Sequence, residues 1–237
     1  MTPTREYHLD WQMIPKNKLD RKRNEALAAC TECSGETCRI CLSKVNRIEK
    51  YYMADIPVEY WNLSFKDFNG DQNFKNTIKA KISNIDQVYD AGKSFMFAGN
   101  LGTGKTYTAC CMLKLAVSSG YSGLYTTMAG VVANMMSKEM DTAKYYNELL
   151  EKDFLVIDEF SSHWIFPSEK AGQLFGTSLE YILRTRFQNQ LPTVLCTNDN
   201  DVDKIFGGFY AKSFKSLRSH HIDLYIIGGK DHRRKNA

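Results

Sequence analysis

The stretch that decides the fold reads Gly99-Asn100-Leu101-Gly102-Thr103-Gly104-Lys105-Thr106, and it matches G-x-x-x-x-G-K-[ST] at every fixed position. An apolar run at 95–98 precedes it, and the pattern at 107–119 predicts a helix that Gly120 ends. A glycine loop between a strand and a helix can turn backbone N–H groups onto phosphate oxygens, and the helix N-terminus adds positive potential. The stretch therefore predicts a phosphate site at the edge of a sheet.

The side chains of this loop indicate which phosphates it binds. Lys105 can reach the β- and γ-phosphates of a nucleotide as a compact cation, and Thr106 can place its hydroxyl on Mg²⁺. We expect the residues from Gly99 to Thr106, together with Tyr107, to contact the nucleotide. The pattern predicts a site for ATP with magnesium.

A second apolar run, at 154–157, ends in the two carboxylates Asp158 and Glu159. The carboxyl ends of parallel strands meet at one edge, so both acids are expected beside the loop. Asp158 would hold Mg²⁺ directly or through water, and Glu159 would orient and deprotonate the attacking water. Because a kinase transfers phosphate to a bound substrate, it has less need of such a glutamate. The pair therefore favours ATP hydrolysis.

A third apolar run, at 193–196, leads into Asn198. The amide of Asn198 can hydrogen-bond the γ-phosphate or the attacking water. The alternative is a turn-forming asparagine in Thr197-Asn198-Asp199-Asn200. The other two motifs favour the functional interpretation.

Apolar runs alternate with helical patterns along residues 93–237. The runs lie at 94–98, 123–126, 154–157, 193–196 and 222–227. Buried strands separated by helices indicate an α/β fold with a mostly parallel, five-stranded sheet flanked by helices. Residues 51–92 are irregular and aromatic at first and then helix-like from about 74 to 89, so they are interpreted as a linker and lead-in.

These motifs, in this order, resemble those of the AAA+ ATPases, and their details are most similar to the DnaC/IstB-type helicase-loader group. The segment Ile56-Pro57-Val58-Glu59-Tyr60 resembles the Ile-Pro-x-x-Tyr lead-in of that group, and residues 183–193 resemble its arginine-bearing helix and the start of the following strand. The resemblance covers residues 50 to 237. It implies a central P-loop strand and a homo-oligomer in the ATP-bound state, in which one subunit completes the ATP site of its neighbour.

The resemblance also implies two arginines at the ATP site. Arg218 is the candidate arginine finger, displaced by two positions from the pattern of the group, with Lys215 as the runner-up. Arg233 is the candidate sensor 2, because Gly229-Lys230-Asp231-His232-Arg233 is similar in outline to the Gly-x-Ser-x-Arg of the transposon-helper members. A basic, solvated C-terminal tail is the alternative for both.

Four cysteines form two C-x-x-C pairs, Cys30 with Cys33 and Cys38 with Cys41. Four thiolates satisfy tetrahedral Zn²⁺, and metal binding would supply the folding energy of so short a unit. The spacing is shorter than in most zinc ribbons. The alternatives are an Fe–S cluster, a redox pair or disulfides, and a cytoplasmic setting disfavours disulfides. Residues 1–50 are therefore interpreted as a zinc-binding region that binds a partner protein, in an arrangement that resembles the zinc-bearing N-terminal domain of some loaders.

The composition sets the broad class of the protein. The 237 residues carry a net charge of +4, which permits contact with nucleic acid without requiring it. No apolar run has the length of a bilayer span, and residues 1–20 lack the apolar core of a secretory signal. With cysteines that are expected to stay reduced, this composition predicts a cytoplasmic protein without a membrane partner.

Together these features predict an ATP-dependent loader of a hexameric replicative helicase that also binds single-stranded DNA. Residues 128–152 correspond to a region that holds single-stranded DNA in initiator-type AAA+ proteins. Cations and aromatic rings suited to that contact are Lys138, Lys144, Tyr145, Tyr146 and Lys152. The alternative for this segment is an amphipathic helix packed on the sheet.

Three alternative functions stay open. An IstB-like transposition helper ATPase would bind duplex DNA and a transposase. A small-molecule kinase and a binding module that uses its ATP site only as a switch belong to other classes. DNA-stimulated phosphate release separates the loader from the last two.

Overall fold

The computed structural model describes residues 13–30, 38–137, 141–161, 169–199 and 211–229. Cys33, Arg233 and Lys138, which the sequence singles out, lie outside these ranges. The described strands are β1 (Ser94–Gly99), β2 (Gly123–Thr127), β3 (Phe154–Asp158), β4 (Thr193–Thr197) and β5 (Ile222–Ile227). The described α-helices are α1 (Lys16–Ala28), α2 (Arg39–Met53), α3 (Gln72–Lys81), α4 (Ile85–Asp90), α5 (Lys105–Ser118), α6 (Met128–Met136), α7 (Thr142–Glu151), α8 (Glu169–Gln188) and α9 (Ala211–His221). Within these ranges no helix is long and apolar enough to cross a membrane.

The sheet is parallel at every described strand pair, in the order β2-β3-β4-β1-β5. The α/β fold with a five-stranded parallel sheet flanked by helices is thereby confirmed. The implied central place of the P-loop strand is wrong by one position, because β4 holds the middle and only β5 lies beyond β1. The carboxyl ends of β1, β3 and β4 meet at one edge, which is the edge that carries the site.

The alternation of side chains along β1 assigns the two cores. Phe95 and Phe97 belong to one apolar cluster, while Met96 and Ala98 belong to the other. This follows from the period of two in a strand. The first cluster contains α5 and the lead-in, and the second contains buried residues of α6, α7, α8 and α9. Both faces of the sheet are therefore covered, as the continuous apolar runs predict.

The lead-in is fastened to α5 by hydrogen bonds. The ammonium of Lys114, which is buried, donates to the carbonyl of Tyr60 at 2.5 Å and also to that of Leu63. The hydroxyl of Tyr107 donates to the Ser64 carbonyl at 2.6 Å. The carbonyls of Tyr60 and Ser64 also accept the backbone N–H groups of Leu63 and Asp67, so each side chain adds a second donor to them. The lead-in is thereby held beside the phosphate loop.

The helical pattern at 74–89 forms two helices, α3 and α4, rather than one. The side chain of Asn84 accepts hydrogen bonds from the backbone N–H groups of Asp86 and Gln87, so it caps a new helix. Ile78 and Val88, one from each helix, are both buried in the first core. Each of the two helices therefore contributes a buried side chain to the same core.

The guanidinium of Arg186 on α8 connects three elements. Its side chain is fully buried, and its Nη1 donates to the carbonyls of Leu149 and Lys152, at 2.9 and 2.8 Å. Its Nη2 donates to the carbonyl of Pro192 and its Nε to the hydroxyl of Thr193, both at 2.9 Å. Burial lowers the pKa of Arg186 to about 9. The arginine joins the end of α7 to the start of β4.

The first two described helices form a hairpin that rests on α5. α1 packs on α2, and α2 packs on α5. The C-cap of α2 is Ala54, whose carbonyl accepts the N–H of Tyr125 at 2.8 Å. The next residue, Asp55, accepts the N–H of Met13 at 3.2 Å, and burial raises the pKa of its carboxyl to about 6. The helix α2 runs across position 50, where the composition of the chain changes.

Candidate nucleotide site and thiol cluster

The phosphate loop has the backbone that its glycines predict. Gly102 and Gly104 have φ values of 75° and 95°, in the region that favours glycine. Gly104 is the N-cap of α5, so the loop delivers the N-terminus of a 14-residue helix to the site. A Cβ on Gly104 would lie 2.4 Å from the ring of Phe68. Any larger residue at position 104 would therefore clash with Phe68, so the packing of the loop requires glycine there.

Lys105 is the first residue of α5 and directly follows Gly104 of the loop. Its Nζ donates to the carbonyls of Gly99 and Asn100, at 2.8 and 2.6 Å, and the residue is 6% exposed. The hydroxyl of Thr103 also donates to the Asn100 carbonyl, at 2.9 Å. These bonds hold a positive charge against the inner side of the loop.

The two acids follow β3 as predicted, and they differ in environment. Asp158 is buried, and its Oδ1 accepts the backbone N–H of Glu159 at 2.8 Å. Glu159 has a φ of 53°, which is uncommon for a residue with a side chain, and it is exposed. The turn therefore separates one carboxylate held in the wall of the site from one that extends into solvent.

Tyr125 on β2 fixes the second oxygen of the buried acid, and sequence reasoning missed it. Its hydroxyl donates to Oδ2 of Asp158 at 2.9 Å, in buried surroundings. Burial, with the nearby Asp158 charge, raises the pKa of Tyr125 far above its usual value, so the hydroxyl stays a donor. In the sequence Tyr125 is one more residue of an apolar run, and no local signal distinguishes it.

The loop, both acids and Asn198 surround one cavity of about 310 Å³. This volume is in the range of small-molecule sites. The residues that line it are Tyr60, Asp67, Phe68, Asn69, Gly70, Leu101, Gly102, Thr103, Gly104, Lys105, Thr106, Tyr107, Asp158, Glu159 and Asn198. Asn198 follows β4 and is exposed there. The structure therefore brings the three predicted motifs to one site.

The lead-in supplies the side of the cavity that the motifs did not identify. Phe68 packs edge-on against Tyr107, with ring centroids 5.5 Å apart, and closes against the loop. Asp67 forms a capping box with Ser64, which fixes the turn that carries Phe68. The Ile-Pro-x-x-Tyr segment was the sequence signal that could have identified this side of the cavity, because Tyr60 ends the segment and lines the cavity.

The donors at this site suit magnesium. A carboxylate, Asp158, and a hydroxyl, Thr106, line the same cavity, and hard oxygen donors are the ligands that Mg²⁺ takes in nucleotide sites. Arg218, by contrast, lies on α9 outside the described lining of the cavity. It is half-buried there, and Lys215 on the same helix is exposed.

Three of the four cysteines come together at the open end of the hairpin. Cys30 follows α1, Cys38 is the N-cap of α2, and Cys41 lies in its first turn. The Sγ of Cys38 lies 3.6 Å from that of Cys30 and 3.5 Å from that of Cys41. These distances far exceed the ~2.05 Å of a disulfide, and they approach the roughly 3.8 Å between thiolates on one tetrahedral Zn²⁺. The described thiols therefore fit a shared metal.

The segment assigned to single-stranded DNA packs largely as a structural element. Tyr145 is 1% exposed, and its hydroxyl is 3.0 Å from that of Thr126, so it is in the core and not at a DNA surface. Lys152 forms an ion pair with Glu148 at 2.6 Å. Tyr146 stacks on Tyr181, and it is half-buried. Tyr145 therefore fits the alternative interpretation, an amphipathic helix packed on the sheet. Lys144 is exposed on the same helix.

Known structures share this fold. The DnaC helicase loader is 20% identical in sequence, with a match that covers 72% of this chain and 99% of that chain at a TM-score of 0.56. A putative primosome component from Streptococcus pyogenes is 20% identical, with 73% and 90% covered and a TM-score of 0.54. The replication initiator DnaA bound to AMPPCP and single-stranded DNA is 18% identical, with 74% and 51% covered and a TM-score of 0.56. At these identities the likeness shows the fold alone.

The sequence comparisons assign the family. This chain spans about half the length of three of the replication-initiation proteins of known structure that it matches. The comparison with curated protein sequences found no match. The family model described as IstB-like ATP binding protein matches residues 44–198, which include the phosphate loop, both acids and Asn198. With an AAA+-like fold and the loop and acids in one cavity, the chain belongs to the IstB-like ATP-binding protein family.

Proposed function

We propose that this protein hydrolyses ATP to load a hexameric replicative helicase onto single-stranded DNA. The observation that carries the proposal is one cavity lined by the phosphate loop, Asp158 and Glu159, in a chain whose hairpin brings three thiols together and packs through α2 on α5. Solved proteins with the same fold include the DnaC helicase loader and a putative primosome component.

Each residue of the cavity has a different proposed role in ATP hydrolysis. The N–H groups of the loop and Lys105 would bind the phosphates, and Thr106 with Asp158 would hold the magnesium ion. That ion supplies charge neutralisation between the phosphates when bound. Glu159 would take a proton from the attacking water, and Asn198 would orient that water or the γ-phosphate.

The other proposed site residues would act between subunits or beyond the described ranges. Arg218 is outside its own cavity, which is consistent with a finger that completes the site of a neighbouring copy. We therefore propose a homo-oligomer in the ATP-bound state. Arg233 keeps its proposed role as sensor 2, on sequence resemblance alone.

Tyr125→Phe tests how the buried acid is held. The change removes only the hydroxyl that donates to Asp158, and loss of such an outer contact costs about 10- to 100-fold in metal affinity or activity. We expect the Mg²⁺ concentration for half-maximal ATP turnover to rise by at least about tenfold. Tyr145→Phe, which removes a buried hydroxyl bonded to Thr126, is the matched control. An unchanged Mg²⁺ titration of Tyr125→Phe would remove this role.

We propose that Cys30, Cys33, Cys38 and Cys41 hold one zinc ion. Elemental analysis of the purified protein is expected to give about one zinc per chain. Cys38→Ser should lose most of this metal, because Cys38 lies between the other two described thiols, whereas Cys111→Ser on α5 should retain it. Iron with acid-labile sulfide, or no metal, would contradict the assignment.

Transposition is the second candidate function, because the matched family model is named for IstB. That helper would bind duplex DNA and a transposase. ATP turnover with single-stranded DNA, with duplex DNA and without DNA separates the two, together with capture of a purified hexameric helicase or a transposase. Stimulation by single strands with helicase capture supports the loader. Stimulation by duplex with transposase capture supports the helper and refutes the loader.

A further inference from the structure

A second cavity, which we name the basic groove, lies between the hairpin and the lead-in. Its volume is about 410 Å³. The residues that line it are Lys22, Glu25, Ala26 and Ala29 from the first helix and its end, Lys44, Arg47, Ile48 and Tyr51 from α2, and Trp61 and Asn62 from the lead-in. The motifs of the ATP site contribute none of the described residues that line it.

The helix period explains why one face of α2 lines this groove. Lys44, Arg47 and Tyr51 are spaced by three and four residues, so they lie along one stripe of the helix. Tyr51 is half-buried at the end of the stripe, with the ammonium of Lys114 5.6 Å from its ring centroid. The stripe therefore presents two cations followed by an aromatic ring.

The charge of the hairpin is concentrated and incompletely neutralised. Residues 16–30 and 38–53 contain nine Lys and Arg but three Asp and Glu, an excess larger than the +4 of the whole chain. Glu25 is already bound by Lys22 at 2.7 Å and by Arg21 at 3.0 Å. Across the described ranges neither Lys44 nor Arg47 forms an ion pair. Such a local excess of positive charge is typical of a surface that binds nucleic acid.

We propose that the basic groove binds single-stranded DNA, with Lys44 and Arg47 at phosphates and Tyr51 against a base. A groove with cations along it and an aromatic ring at its end has the elements of sequence-tolerant single-strand binding. The concave shape and modest volume suit a single strand better than a duplex. The choice of single-stranded DNA rests on the proposed function; the groove itself does not.

The groove also lies next to the ATP site. Asn62 lines the groove, and Tyr60, two residues earlier, lines the nucleotide cavity. The lead-in therefore forms a shared wall. A strand in the groove would contact the same segment that lines the nucleotide cavity.

The test measures binding of a fluorescein-labelled oligothymidylate to the full chain by anisotropy, over a range of salt concentrations. Lys44→Ala/Arg47→Ala is expected to weaken binding at least about tenfold and to reduce the salt slope by roughly 1.4, since each phosphate contact on a single strand contributes about 0.7. Tyr51→Leu should weaken binding about fivefold or more without changing that slope. Lys79→Ala/Lys93→Ala, with the same charge change on exposed residues outside the hairpin, is the control.

ATP affinity is measured on every variant, because a folded ATP site shows that the hairpin change has not unfolded the core. Equal DNA affinity of the groove variant and the control would overturn the groove while leaving DNA binding elsewhere in the loader intact. Competition by polyglutamate as strong as that by unlabelled oligothymidylate would overturn it in favour of an acidic protein partner. Failure of the parent chain to bind DNA at all would instead refute the DNA part of the proposed function.

Discussion

Lys105→Ala is expected to weaken ATP binding at least about 100-fold, equivalent to roughly 3 kcal/mol. Within the described lining of the cavity Lys105 is the one cation, and the same lining includes three acids, Asp67, Asp158 and Glu159. Its removal would leave an acidic cavity for a polyanionic ligand. The alanine would also remove the donor to the Gly99 and Asn100 carbonyls, which shapes the start of the loop.

Isothermal titration with ATP and magnesium measures this effect directly. Lys79→Ala is the matched control, because Lys79 is an exposed lysine on α3 away from the cavity. A thermal unfolding curve for each variant separates loss of ligand from loss of fold. Unchanged ATP affinity in a folded Lys105→Ala protein would refute the assignment of the phosphate site.

Glu159→Gln is expected to lower ATP turnover by about 10²- to 10⁴-fold, which is the usual contribution of a general base. The amide has the shape of the carboxylate but cannot accept a proton at neutral pH. The backbone N–H of this residue still donates to Asp158, so the buried acid keeps its geometry. Because only the proton acceptor is lost, ATP affinity should stay within about threefold of the parent.

Single-turnover hydrolysis and nucleotide titration on the same preparation distinguish these two quantities. Glu151→Gln, at an exposed position at the end of α7, carries the same chemical change outside the cavity. Trapped ATP with slow hydrolysis would support Glu159 as the base. Normal turnover would exclude it, and Asp158 or a group from a neighbouring subunit would then have to activate the water.

The strands could be predicted because each one depends on a local run of apolar residues. Five apolar runs predicted five strands, and each observed strand begins at the predicted residue and ends within one residue of the prediction. A buried parallel strand needs apolar side chains on both faces, so its whole length is visible in the sequence. The 74–89 pattern was less reliable, because the cap at Asn84 competes with continuation of a single helix.

Sequence alone determined the phosphate loop, the pair of acids after β3 and the asparagine after β4. Each depends on a short run of residues and on the rule that parallel strands end at one edge. The tertiary structure decided which distant residues support them. Tyr125 bonds to Asp158 across 33 positions, and Phe68 packs against Gly104 from the lead-in. Such contacts depend on how separate elements pack, and no local pattern encodes that packing.

The same division holds for the partner surfaces. Spacing predicted a metal site at the cysteines, but only the hairpin shows Cys30 and Cys38 3.6 Å apart. Residue type made Tyr145 a candidate for DNA, whereas packing placed it in the core, because burying its ring gains more than exposing it. The basic groove joins α1, α2 and the lead-in, so it exists only after they pack. Sequence fixes chemistry and local conformation, while burial decides which side chains reach solvent.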